Sequence, residues 1–374
     1  MNDGRPFLPG VRRRRSFLRS GIAVAASLGL ALAVTPSAGA EAGGNAPWRH
    51  GTADFALAPF GISVNHQGLY VADGFTGTVT RKDPQGGDTV VAAVPEISGV
   101  DVSPDGRSMA TVSGGGFGGT AYVTIRTSGA PDVVVNLSEY EAANNPDGDV
   151  EYGWVPSGND CAAAVFGALL EGPPTYSGIV DTHPYAVRWL GGGAWAVADA
   201  GMNAVLRVEA DGSVSTVGLL PPQPVTITAE MAAGLGAPPC IVGETFRFEP
   251  VPTDVEVGAK GQWLVSSLPG GPESPALGAR GSVYSMNPGS GAVTRVAGGF
   301  LGAVDLAYAS DGTLYVAELF GAGVTAIQGD RRWTAYATDR ALSVEVQGGF
   351  LYVGRILDIF TGSGAPGSVV RVPR

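Results

Sequence analysis

Residues able to bind a ligand or assist a reaction recur in this chain at one kind of position, the end of a short apolar run. "QGLYVADGFTG" (67–77) ends its run on Asp73, "DGTLYVAELFG" (311–321) on Glu318, "GQWLVSSLPGG" (261–271) on Ser267 and "GGFLYVGRILD" (348–358) on Arg355. Two further runs end on Ser113 and Asp199. The apolar letters barely change while the last residue does, which is how a repeated scaffold acquires a binding rim. From these positions and the segment around 180–203, the candidate ligand-binding residues are Asp73, Asp181, His183, Tyr185, Asp199, Asn203, Asp254 and Glu318. Asp181 and His183 could hold a ligand or relay a proton; a pairing across their own loop is the alternative. Asp199 and Asn203 could equally staple their own loop, because Asp and Asn side chains bond nearby backbone amides.

One stretch has the spacing of a metal loop. "NNPDGDVE" (144–151) presents Asn145, Asp147, Asp149 and Glu151 at alternating positions around a Gly, the arrangement that a Ca²⁺ loop requires, although the full EF-hand pattern is absent and a plain acidic turn is the alternative. Other catalytic signatures are missing. The chain has no His-Glu-x-x-His and no Gly-x-Ser-x-Gly, and its three His (His50, His66, His183) are too scattered for a His-rich metal centre. "GGGFGG" (114–119) has the letters of a dinucleotide loop but leads into a strand, so no helix N-terminus is there to hold a phosphate.

The elements that must position these residues are strands. Before each quoted run stands another: "GISV" (61–64), "GVDV" (99–102), "AVRW" (186–189), "DVEV" (254–257), "AVDL" (303–306) and "SVEV" (343–346). Third strands such as "AVLRV" (204–208) and fourth strands such as "AVTRVA" (292–297) follow, with a period near 40 residues where nothing is inserted. Six four-stranded units at that period predict an all-β, six-bladed β-propeller spanning residues 41–374. The sixth unit stops after its third strand, and "TADFALA" (52–58) stands unclaimed before the first. The N-terminal strand is therefore expected to close the ring and cover the open sheet edge. Asp101, Arg188, Glu256, Asp305 and Glu345 in the first strands are expected to line the channel as a solvated, mutually neutralised ring.

Insertions at 138–182 and 220–250, with long loops at 268–281 and 356–367, all fall on one rim of such a propeller. Phe60, Phe75, Phe117, Tyr185, Phe300, Phe320 and Phe360 cluster in or beside the rim loops. An aromatic mouth ringed with carboxylates suits a small organic ligand, unless the rings only plug the channel.

Residues 1–40 read differently. "RRSFLR" (14–19) precedes an apolar run at 21–34 and a small-residue site ending at Ala40, the order of a signal peptide with a twin-arginine-like motif. Export is therefore expected, and the later chain holds no apolar run long enough to span a bilayer. Without residues 1–40, 17 basic and 33 acidic residues remain, a net charge of −16. So acidic a surface repels nucleic acid. Cys161 and Cys240 are expected to form one disulfide joining the two insertions into a lid over the mouth, with two unpaired thiols as the alternative.

"VDTHPYAVRWLGGGAWAVADAGMNAVLRV" (180–208), "VPTDVEVGAKGQWLVSS" (251–267) and "YEAANNPDGD" (140–149) resemble the ScyD/ScyE family, exported propellers named after proteins of a cyanobacterial pigment gene cluster. The family usually has Asn where His183 stands, and often an acid where Ser267 stands. More distantly the repeats are similar to NHL and gluconolactonase-type propellers. The resemblance carries no settled chemistry, and the function expected for this chain is that of an exported, monomeric accessory protein that binds a small organic molecule or a protein partner. A carboxylate-metal lactonase of the gluconolactonase type and a cell-surface interaction scaffold are the alternatives. Gluconolactonase-type propellers carry a Glu at the start of the first blade, and "APFGIS" (58–63) has none.

Overall fold

The structure, a computed structural model, describes residues 52–53, 58–116, 119–272, 277–356 and 367–374. The leader (1–40), Phe117, Phe360 and residues 54–57 of the closing segment lie outside the described residues. The fold is all-β, built from four-stranded antiparallel sheets. There are seven sheets among the described residues rather than the six expected.

Six of them follow one another along the chain. Their first strands are Pro59–Asn65, Ile97–Val102, Pro184–Gly191, Pro252–Val257, Ala303–Tyr308 and Ala341–Gln347. Each packs beside the next, and the sixth packs beside the first, so that the cycle closes. The core is divided accordingly, with one cluster of buried side chains at each of the six junctions. Trp195, Val197 and Leu206 of the third sheet meet Val112 and Val123 of the second, for example. The second strands are buried at nearly every position because both of their faces meet a neighbouring sheet. Near the axis two sheets approach so closely that side chains are excluded. A Cβ on Gly99 would stand 2.7 Å from the Tyr185 carbonyl oxygen, and one on Gly61 would stand 3.0 Å from the Gly99 Cα.

The ring is closed by its N-terminal segment. Thr52 and Ala53 pair antiparallel with Val370 and Val369, adding the outermost strand to the sixth sheet. At the inner edge, the Ser343 hydroxyl donates to the Pro59 carbonyl oxygen at 2.8 Å.

The seventh sheet is what the strand repeat alone does not show. Both insertions contribute to it, in the order Thr175–Ser177, Glu151–Trp154, Thr245–Phe248, Gln223–Thr226. The helix Asp160–Leu170, capped by the Asn159 side chain on the Ala162 N–H, lies in the first insertion, and the short helix Ala229–Gly234 in the second. Trp154, Phe166, Phe246 and Phe248 give this unit its own apolar core. Cys161 and Cys240 form a disulfide across it, with their Cα atoms 6.2 Å apart. The two insertions are thus one packed appendage held beside the ring, not floppy loops.

Candidate functional site

A cavity of about 280 Å³ opens at one end of the ring axis. Its rim comes from the loops that leave the second strands (Gly74, Phe75, Gly114 to Gly116, Leu268) and those that enter the first strands (Glu96, His183). Its wall comes from a feature repeated six times. In every sheet of the ring, the pairing of first and second strands slips by one residue immediately after the first pair. The extra residues are Phe60, Ser98, Tyr185, Thr253, Val304 and Leu342, and all six line the cavity. A bulge leaves one residue out of the ladder and re-aims its side chain, so these six positions are free to vary without disturbing the sheets.

Below them lie two levels of polar side chains set by the same register. One residue beyond the bulge come Asp254 and Asp305, in neighbouring sheets; three beyond it come Ser63, Asp101, Arg188, Glu256 and Glu345. Asp305 therefore belongs with Asp254 rather than in the ring of five that the sequence suggested, and Ala307 occupies its expected place. Arg188 bonds Glu256 at 2.7 Å and Glu345 at 3.2 Å. Asp101 accepts the Ser63 hydroxyl and the Trp189 N–H, both at 2.7 Å. Asp254 accepts the Leu306 N–H at 3.0 Å. Asp101, Asp254 and Glu256 are buried and Arg188, Asp305 and Glu345 half-buried, and five carboxyls face one guanidinium, so the set is not mutually neutralised. Burial raises the pKa values of Glu256 and Asp305 well above the ordinary range, and those of Asp254 and Glu345 also rise. Arg188 opposes the rise at Glu256, Glu345 and Asp254, and the other carboxyls reinforce it at all four groups. Burial works against the Arg188 charge, but Glu256, Asp101 and Glu345 outweigh it and raise its pKa.

Of the eight candidate ligand-binding residues, His183, Tyr185 and Asp254 line this cavity, as do Phe60 and Phe75 of the aromatic set. His183 packs edge-on to Tyr185, with ring centroids 4.6 Å apart; burial lowers its pKa to about 4, and its Nδ1 is buried without a hydrogen-bond partner. Asp73, Asp199 and Glu318 do not line it. Each ends a second strand and accepts a backbone N–H from the loop entering its own sheet: Asp73 from Ala58 at 3.2 Å, Asp199 from His183 at 2.9 Å, Glu318 from Leu301 at 2.7 Å. Ser267 does the converse in the fourth sheet, donating to the Pro250 carbonyl. At these four strand ends the varied residue is thus a staple to the loop entering its own sheet, whereas Arg355 donates to the Ser368 hydroxyl of the third strand at 2.8 Å.

Asp181 and Asn203 are also outside the cavity wall. The Asn203 amide donates to Asp147 at 2.9 Å and accepts the Val251 N–H at 3.0 Å, joining the first insertion to the chain after the second. Asn145, Asp147, Asp149 and Glu151 do not converge on a point. Asp147 is buried and accepts from Tyr152 and Asn203, Asn145 caps the helix Leu137–Asn144 and donates to the Gly178 carbonyl, Asp149 is exposed, and Glu151 pairs with Arg247. Among the described residues no three His, Cys, Asp or Glu side chains are arranged to hold a metal ion. The expected lid is also absent from the cavity: none of the described residues of 138–182 or 220–250 lines it.

No family model matches the chain, and no curated relative matches it. Solved structures do. A protein assigned as an oxidoreductase (glucose dehydrogenase) from Thermus thermophilus is 16% identical, covering 86% of this chain and 99% of its own with a TM-score of 0.50. The PQQ-bound aldose sugar dehydrogenase of Streptomyces coelicolor is 12% identical over 88% of this chain and 98% of its own, with a TM-score of 0.49. A luciferin-regenerating enzyme is 14% identical over 85% and 92%, also at 0.49. The likeness to the Thermus protein shows the fold alone: the chain has a β-propeller fold.

Proposed function

We propose that the protein is an exported accessory propeller of six blades, related to the ScyD/ScyE group, which holds a small organic ligand in the axial cavity. The ring of six bulge residues carries this reading. It places Phe60, Tyr185, Val304 and Leu342 at equivalent positions around the cavity, while Ser98 and Thr253 donate their hydroxyls to the Pro184 and Ala303 carbonyls of the next sheets, so the wall is mostly apolar and the placed polar groups are the side chains below it. Ligand sites have this composition: mostly apolar lining with a small number of placed polar groups. The blade count follows from the closed cycle of first strands, with the seventh sheet as an appendage. Export follows from the leader-like residues 1–40 and suits a chain with a disulfide.

Native mass spectrometry of the exported protein tests the reading. Wild type should carry a small organic mass that is lost in the Phe60→Ala, Tyr185→Ala double variant while the circular dichroism spectrum is unchanged. A bound mass that survives the double variant would place the ligand elsewhere, and a bare chain from native medium would count against a resident ligand.

A further inference from the structure

We infer that the axial cavity selects an organic cation, a molecule with an amine or ammonium group attached to an apolar body, whose charged end sits at Asp254 and Asp305. The inference rests on the reading of the cavity as a ligand site and adds the class of ligand.

The charge of the floor is the first ground. Five carboxyls (Asp101, Asp254, Glu256, Asp305, Glu345) face one guanidinium, Arg188. Arg188 is committed at the deeper level, to Glu256 and Glu345. The two acids nearer the mouth, Asp254 and Asp305, stand at the same register position in neighbouring sheets, Asp254 buried and Asp305 half-buried. They are also fixed in place. Asp254 accepts the Leu306 N–H, and Asp305 accepts from the Val344 backbone. Adjacent acids of this kind are costly when ionised together, and a ligand cation removes that cost.

An ammonium carries several N–H donors and no acceptor, so carboxylates suit it. The second ground is the wall itself. Phe60, Phe75 and Tyr185 present aromatic rings, which attract a cation as well as an apolar body. A carboxylate-bearing ligand would meet the same floor with like charge.

Three probes of one shape decide the matter: 2-phenylethylamine, 2-phenylethanol and phenylacetate, titrated by calorimetry into the full exported chain. The amine should bind about tenfold or more tightly than the alcohol, with the acid weakest. Asp305→Asn, which changes charge and not shape, should reduce the amine's advantage and leave the alcohol's affinity unchanged. The charged and titrating groups facing the pair are Asp101, Arg188, Glu256, Glu345, Glu96, His183 and Tyr185. A cation arriving at protonated carboxyls expels a proton, so the amine's affinity should rise with pH across the range about 5 to 8. Equal affinities for amine and alcohol would overturn the cation assignment and leave the organic-ligand reading standing. Failure of all three probes at about 10 mM would overturn both.

Discussion

The Asp199 carboxylate accepts the backbone N–H of His183 at 2.9 Å, so a fully buried acid at the end of one strand fixes the residue that borders the cavity. The same oxygen accepts from Gly201 at 3.1 Å and Met202 at 3.0 Å. Asp199→Ala would leave three backbone donors without an acceptor at a site closed to water. The variant should lose about 3 kcal/mol of stability, given a cost of about 1 to 3 kcal/mol for each unsatisfied group and partial relaxation. Asp199→Asn keeps an acceptor oxygen and should stay within about 1 kcal/mol of wild type. Urea unfolding of the two variants measures the difference; equal losses would mean that the charge, not the acceptor, matters.

The pH dependence has a definite sign. Asp199 and Glu249 lie in the interior where the insertions meet the third sheet, and burial raises both pKa values to about 7. An acid raised in the folded state contributes stability that is present below its unfolded pKa and is lost as pH climbs through the folded one. Stability should therefore fall between about pH 5 and about pH 8. Asp105, Asp211, Asp311 and Glu244 are shifted the other way, so their effect is confined to acid below that window, and His183, lowered to about 4, offsets one acid up to about pH 6.5 without reversing the two. Glu249→Gln should flatten part of the slope. A urea midpoint that rises from pH 5 to pH 8 would contradict the account.

Removal of residues 41–58 should be severe. It takes away the strand pairing of Thr52 and Ala53 with Val370 and Val369, and also Ala58, a fully buried residue whose N–H is held by Asp73. The exposed edge of the sixth sheet would then be open to pairing with other chains. A fall in melting temperature of about 5 °C or more, with aggregation, is expected. An unchanged melting temperature would show that closure of the ring is not stabilising.

Most of the ring was legible in the sequence because each second strand buries both faces, so its apolar letters repeat: "LYVAD" at 69–73 and "LYVAE" at 314–318 pack alike. The cavity was only half legible. Tyr185 and Asp254 were singled out, but the bulge that aims Ser98, Thr253, Val304 and Leu342 at the axis leaves no mark on a pattern of apolar letters. It also moves Asp305 from one level to another. The strand-end acids misled because loop staples and ligand contacts use the same residue types. Within the insertions, Asn159 before "DCAAAVFGALL" is a readable helix cap and start. The pairing of 151–154 with 245–248 joins segments about ninety residues apart, and no local signal announces it.

The disulfide offers a last test, since it separates the appendage from the ring. Cys161 and Cys240 are 79 residues apart in sequence, and the one ring sheet between them, residues 184–219, is held by its own packing against its two neighbours. In the chain-entropy model a loop of that length gives at most about 4.5 kcal/mol, and less where the unfolded chain stays compact. Cys161→Ser with Cys240→Ser should therefore loosen the sheet formed by residues 151–154, 175–177, 223–226 and 245–248 without melting the ring. Hydrogen exchange should quicken in those strands and in the helix Asp160–Leu170, and stay slow in second strands such as Ala194–Asp199. The core of Trp154, Phe166 and Phe246, with the last two rings 5.3 Å apart, sets how much order survives. No described residue of the appendage lines the cavity, so the affinity for an amine should not change. If it does, the route runs through Asn203, which bonds Asp147 of the first insertion and the Val251 N–H two residues before Thr253 on the cavity wall. Asn203→Ala in the wild-type background would then reproduce the change, and a normal affinity in that variant would exclude this connection.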